Sequence, residues 1–257
     1  MDSKGNVFYT DLKQVWKIDI HGSKSVVVPN VHTHELYIDE HDTLFGEHLW
    51  YNGETLNTWG HYVWQYSADG TFEKVVPDTE GFRDRYSFVR DHHGNMYWAH
   101  RNEVCQKIVK HDRNGIRTKM GDRCMTNIRQ ITATREGIVY AVDHHDVKQI
   151  DRFGRVHVLA TKLMEHSLRQ ASGDEAHQLM GITTDRDENV YVAVYGARQV
   201  KKIDRNGNVT TVAQTHTNWS PTGVLTAPNG DLWILECSPT NAVRVERITA
   251  AGDRIMY

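Results

Sequence analysis

The sequence predicts an all-β fold of six repeated units, each of four short antiparallel strands, and three observations carry that reading. A turn followed by a β-branched or aromatic run occurs six times. A second strand, ending in another tight turn, follows each copy. A short apolar run precedes five of the six first turns. Strands without intervening helices, repeating at such a period, are the signature of a radial array rather than of an irregular sandwich.

The first element recurs as Asp2–Tyr9, Asp39–Phe45, Asp91–Trp98, Thr134–Tyr140, Asp185–Tyr191 and Ala227–Trp233. Its turn anchors fall at positions 5, 42, 94, 137, 188 and 230, about 45 residues apart. The second recurs as Val15–Gly22, Val63–Gly70, Ile108–Gly115, Val147–Gly154, Val200–Gly207 and Val245–Gly252. In these turns Asp can accept hydrogen bonds from the turn backbone, and Gly tolerates positive φ. A further β run follows, as in Val26–Val28 and Val209–Val212, and the preceding runs are Leu36–Ile38, Phe88–Val89, Ile131–Ala133, Ile182–Thr184 and Val224–Thr226. Strands a, b, c and d of each unit follow, and six units make a six-bladed β-propeller over residues 1–257, expected as one domain. The first unit begins at Asp2 without a strand a, so the ring either closes on a three-stranded blade or begins further upstream.

Composition narrows the function. The 257 residues are 39% hydrophobic and 25% charged, with net charge −3. That balance gives no basic footprint for nucleic acid. No run reaches the ~18 apolar residues that a spanning helix needs, and the first residues show no secretory leader. Three cysteines, Cys105, Cys124 and Cys237, lack metal-type spacing. They read as buried free thiols of a reducing, cytoplasmic setting. No Gly-rich phosphate loop and no Gly-x-Ser-x-Gly elbow is present, which disfavours nucleotide binding and covalent serine catalysis.

Up-and-down connectivity places the a–b and c–d turns at one end of the blades and the b–c and d–a loops at the other. Six residues after each anchor, at the end of strand b, stand Asp11, His48, His100, Asp143, Val194 and Glu236. Entering strands a are His32, His34 and Glu35, then Arg85 and Tyr86, Arg129 and Gln130, His177 and Gln178, and Ser220 and Thr222. Imidazoles and carboxylates on a rigid rim suit a divalent metal or general acid–base chemistry near neutral pH. His48, His100, Asp143 and Glu236 are the expected ligands of a calcium, magnesium or zinc ion. His34, His144, Tyr86, Arg85 and Arg129 are the expected catalytic and orienting groups. A long b–c loop from Glu47 to Tyr62 brings Trp50, Tyr51 and Trp59 to the same end, to bind substrate with His177 and Gln178. The d–a connection, Thr161–Leu179, is also long, and Lys162–Arg169 within it can form a helical turn. The pairs His92–His93 and Asp112–Gly115 read as turn residues.

The stretch Pro221–Glu236 resembles the blade motif of NHL-repeat and virginiamycin B lyase-like propellers, within a superfamily that includes the SMP-30/gluconolactonase hydrolases. Glu236 matches the lyase-like Glu, while the gluconolactonase-type Asn-Gly and Asp-Gly signatures are not found in their usual context. The resemblance implies a metal-dependent enzyme acting on a small organic substrate, by ester or lactone hydrolysis. Its alternatives are elimination of the lyase type and a non-catalytic scaffold that binds protein or glycan.

Overall fold

A computed structural model describes residues 1–52, 58–80, 88–101, 103–164 and 179–257; the side chains at 49, 51, 52, 58, 59, 61, 76–80 and 88 lie outside that description. The fold is a six-bladed β-propeller of antiparallel sheets, with a three-stranded first blade and no helix among the described residues. Two compact units, Met1–Phe88 and Val89–Tyr257, divide the chain.

In the first unit β1 (Val7–Thr10), β2 (Gln14–Ile18) and β3 (Lys24–Pro29) form the three-stranded blade. The second blade is β4 (Leu36–Ile38), β5 (Leu44–Asn52), β6 (Thr58–Tyr66) and β7 (Phe72–Glu80). Val15, Val28, Val31, Leu44 and Trp64 pack as one core cluster. Trp64 is fully buried because glycine stands opposite it: Gly46 pairs with Trp64 across β5 and β6, and a Cβ at Gly46 would fall inside the indole. Trp50 covers Gly60 in the same way, four pairs further along. These aromatic–glycine pairs correct one expectation. Glu47–Tyr62 is not a long loop but a continuation of the β5–β6 ladder, paired out to Asn52 and Thr58. Alternating large and absent side chains across the ladder let it extend.

The second unit holds four blades: β8 (Phe88–Arg90) to β11 (Arg117–Met125) through β9 (Met96–His100) and β10 (Gln106–His111); β12 (Ile128–Ala133) to β15 (Val156–Ala160) through β13 (Val139–Asp143) and β14 (Asp146–Ile150). The last two are β16 (Leu179–Thr184), β17 (Val190–Val194), β18 (Gln199–Ile203) and β19 (Val209–Gln214), then β20 (Ser220–Thr226), β21 (Leu232–Cys237), β22 (Val243–Ile248) and β23 (Arg254–Met256). The apolar faces of consecutive blades bury one another: Tyr97, Ala99 and Ile108 pack with Val139, Ala141 and Ile150, and Tyr140, Val142 and Val147 with Val190, Val192 and Ile203. Inner strands lie side by side, β12 by β16 and β16 by β20. At Gly181 they approach so closely that a Cβ would sit 2.7 Å from the Gly223 Cα.

The six anchors read from the repeat all have positive φ: Gly5, Asp42, Gly94, Gly137, Glu188 and Gly230. Their acids work as expected. Asp91 Oδ1 accepts from the His93 and Asn95 amides while Oδ2 accepts from Asn95 Nδ2 and Tyr97 Oη. Asp185, Asn189 and Tyr191 repeat that network. The thiols depart from expectation. Cys124 is exposed, Cys105 and Cys237 are half-buried, and the Cys124 thiol is hydrogen-bonded to Cys105, which raises its pKa. Cys105 and Cys124 each stand next to the β10–β11 pairing of Gln106 with Met125, and Cys237 ends β21.

Candidate functional site

In the first unit the segment before β4 folds back on β5 because Thr33 is fully buried. Its hydroxyl donates to the Glu47 carbonyl at 2.6 Å and accepts from Trp64 Nε1 at 3.3 Å. That anchor sets three imidazoles together. The Nε2 atoms of His32 and His34 are 3.1 Å apart, and His48 Nδ1 accepts from the His32 amide at 3.0 Å. His48 also stacks on Tyr62, whose other neighbour is the Lys74 ammonium, 4.0 Å from the ring centre. His34 is exposed, yet desolvation by the atoms around its ring holds the imidazole below the ordinary histidine pKa, and the His32 ring beside it acts in the same direction. An imidazole that stays neutral is a base.

In the second unit the acids at the ends of strands b are each held by strand c of their own blade. Asp143 is 3% exposed; its Oδ1 accepts from the Thr126 and Asn127 amides, and Oδ2 is ion-paired with Lys148 of β14. Glu236, 0% exposed, accepts from Arg244 Nε of β22 at 2.5 Å, and that guanidinium lies 4.1 Å from the Trp219 ring centre. Burial raises the Glu236 pKa against the opposing pull of Arg244. Its Oε1 has no hydrogen-bond partner among the described residues. The first unit repeats the device: Asp11 accepts from Trp16 Nε1 at 2.9 Å. Lys148, Arg244 and Trp219 were not among the residues singled out from the sequence. The hairpin register, which sets Glu236 opposite Arg244, is the signal that finds them.

The inner strands carry a second recurring feature. Each of β12, β16 and β20 breaks register against its neighbour, between Ile128 and Ile131, Leu179 and Ile182, and Pro221 and Gly223. Bulges re-aim side chains and cluster near functional sites. Arg129 and Gln130 sit in the first. The Arg129 carbonyl accepts from Arg101 Nη2, and Gln130 Oε1 accepts from the Ile182 amide, tying two blades together. His144, at positive φ, is held by Thr126 Oγ1 at 3.0 Å and lies at the surface. His100 is half-buried, with Nδ1 3.9 Å from Glu103. Arg85, Tyr86, His177 and Gln178 lie outside the described residues, as do the side chains of Tyr51 and Trp59 and most of the Lys162–Arg169 stretch.

The expected ligand set does not offer a divalent ion a ready cage. The Nδ1 lone pair of His48 is taken by an amide N–H, so Nε2 carries the proton of the neutral ring. Asp143 and Glu236 are already neutralised by Lys148 and Arg244. A metal on Asp143 Oδ2 or Glu236 Oε2 would have to displace a cation, which leaves Glu236 Oε1 as the open carboxylate oxygen. Among the described residues three ligand atoms converge elsewhere, at His92, His93 and Glu136 on the a–b turns.

No protein-family model matches the sequence, and a search of curated proteins finds no match. Solved structures do match. A streptogramin B lyase superposes with TM-score 0.61 at 15% identity, covering 100% of this chain and 80% of that one. A virginiamycin B lyase from Staphylococcus aureus gives TM-score 0.61 at 14% identity, with 100% and 82% covered. A gluconolactonase from Xanthomonas campestris gives 0.63 at 12% identity, with 90% and 79% covered. Identities this low speak for architecture, since one fold serves many chemistries. The chain has the six-bladed propeller fold of the virginiamycin B lyase and gluconolactonase structures.

Proposed function

We propose that this chain is a cytoplasmic propeller enzyme that hydrolyses an ester or lactone of a small organic acid by general-base chemistry. One observation carries the reading: the His34 imidazole stands 3.1 Å from the His32 ring, and desolvation by its neighbours together with that ring lowers its pKa. His34 takes a proton from the water that attacks the carbonyl carbon and returns it to the leaving oxygen as the acyl C–O bond breaks, giving acid and alcohol, and His32 is placed to exchange a proton with it. Orientation of the substrate by Arg85 and Tyr86 belongs to the same reading, as does an aromatic wall built on Trp50. No step is routed through a metal, because His48 Nδ1, Asp143 Oδ2 and Glu236 Oε2 are already engaged.

The test is turnover of a panel of small lactones and aryl esters by the full chain. His34→Gln is expected to lower the rate about a hundredfold or more at unchanged melting temperature. The pH–rate profile should lose its acid limb in that variant, and wild-type activity should survive dialysis against a chelator. Equal rates in wild type and variant would overturn the assignment of the base. A product with a new carbon–carbon double bond and no oxygen from solvent would move the reading to elimination, the reaction named for the lyase structures. Saturable binding of a glycan or protein without turnover of any substrate would leave a scaffold.

A further inference from the structure

The a–b turns form the end of the blades opposite the loops considered so far. In the third blade the turn Asp91–Gly94 places His92 and His93 at its two central positions, closed by Gly94 N–H donating to the Asp91 carbonyl at 3.1 Å. In the fourth blade the equivalent turn is Thr134–Gly137, with Arg135 and Glu136 at its centre. No other first turn carries two imidazoles: the central pairs are Ser3–Lys4, Glu40–His41, Arg186–Asp187 and Pro228–Asn229. The two turns are in contact. A Cβ at Gly137 would stand 2.8 Å from Tyr97 Oη and 3.1 Å from Asp91 Oδ2. The His92 and His93 ring centres are 3.7 Å apart, and one ligand atom from each of His92, His93 and Glu136 lies within 4.8 Å of the others.

We infer that His92, His93 and Glu136 form a zinc-class transition-metal site that clamps the third blade to the fourth. Two imidazoles and one carboxylate favour zinc, copper or nickel over calcium and magnesium, which prefer all-oxygen shells. His92 Nδ1 meets the Arg135 carbonyl, the residue before Glu136. Donation of the Nδ1 proton there fixes the tautomer and leaves Nε2 as the ligand. That is the outer-shell support that metal-bound histidines have. Bonds of about 2.0–2.1 Å in a tetrahedral site put ligand atoms roughly 3.3 Å apart, so closure needs rotation of side chains that sit on surface turns. The fourth position goes to water. Binding ties together turns that otherwise touch at Gly137 and between His92 and the Arg135 carbonyl, and so stabilises the folded state in proportion to ligand occupancy.

The test uses the full chain, made without a polyhistidine tag, stripped with chelator and titrated with zinc chloride by calorimetry. The expected result is one tight equivalent and a higher melting temperature, with neither effect from calcium or magnesium. Glu136→Gln and the double variant His92→Ala/His93→Ala should each weaken that equivalent by about tenfold or more. His41→Ala, which removes a turn imidazole of the second blade, should leave it unchanged. Absence of a tight equivalent, or equal zinc affinity in wild type and in both site variants, would overturn the inference. If the double variant fails to fold, Glu136→Gln decides alone, because its side chain is exposed and makes no contact that the turn requires.

Discussion

Single residues in this chain are chosen chiefly for what a turn demands. Four of the six first-turn anchors are glycine, and Asp42 at φ 60° is compensated by the Ser3 amide and hydroxyl, which donate to its carboxylate at 2.6 and 2.5 Å. Glu188, at φ 59°, pairs with Arg205 at 3.4 Å. A left-handed non-glycine residue costs about 1–2 kcal/mol, part of which glycine returns through the entropy of the unfolded chain. Glu188→Gly should therefore stabilise the protein by about 0.5 kcal/mol, read as a higher midpoint in urea at unchanged slope. A lower midpoint would mean that the Arg205 contact outweighs the backbone strain.

At the scale of the element, close approach of inner strands limits what the sequence can hold. A Cβ at Gly181 of β16 would stand 2.7 Å from the Gly223 Cα and 2.9 Å from the Thr222 carbonyl oxygen, both backbone atoms with nowhere to go. Gly181→Ala should cost about 2 kcal/mol, the usual penalty for overpacking. Ala at Gly94, where a Cβ meets nothing within 4 Å but φ is +77°, should cost less, through backbone strain alone. Urea unfolding of the two variants side by side checks the order, and a reversed order would place the tight approach elsewhere. The bulges in β12, β16 and β20 belong to the same scale. They were not legible in the sequence, because a bulge in these strands follows from how neighbouring blades dock and leaves no turn residue as a marker.

For the whole molecule, the turn carboxylates set the response to acid. Asp19, Asp42, Asp69 and Asp204 sit below their ordinary pKa because donors converge on the ionised form, led by the Ser23 amide, the Ser3 hydroxyl, the Thr71 amide and the Asn208 side chain. At Asp151 desolvation pushes upward, yet the Arg155 amide and guanidinium and the Phe153 amide hold it at about 2. A depressed folded pKa means that this stabilisation is complete above the ordinary value of 3.8 and is lost as pH falls through about 2. Melting temperature should fall steeply over that window, with protons taken up on unfolding. In Asp151→Asn the deficit relative to wild type should shrink as pH approaches 2. A deficit independent of pH would show that the turn needs the shape of the side chain and not its charge.

The blade count, the strand order, the missing first strand and the positive-φ anchors were readable from the chain alone, because each depends on contacts within a few residues. Asp143 ends β13 and Glu236 stands next to the end of β21, where the repeat put them, whereas His48 lies inside β5, which runs on to Asn52. Their roles were not readable. Whether Glu236 meets a metal or Arg244, and whether His48 offers a lone pair or spends it on the His32 amide, depends on register and on loops folding back over strands. The pair His92–His93 reads as an ordinary turn until the next blade supplies Glu136, 43 residues away from His93. Local pattern determines the repeat, and only the packing of one blade on the next decides which side chains become neighbours, because the period that makes the blades alike says nothing about the residues that vary between them.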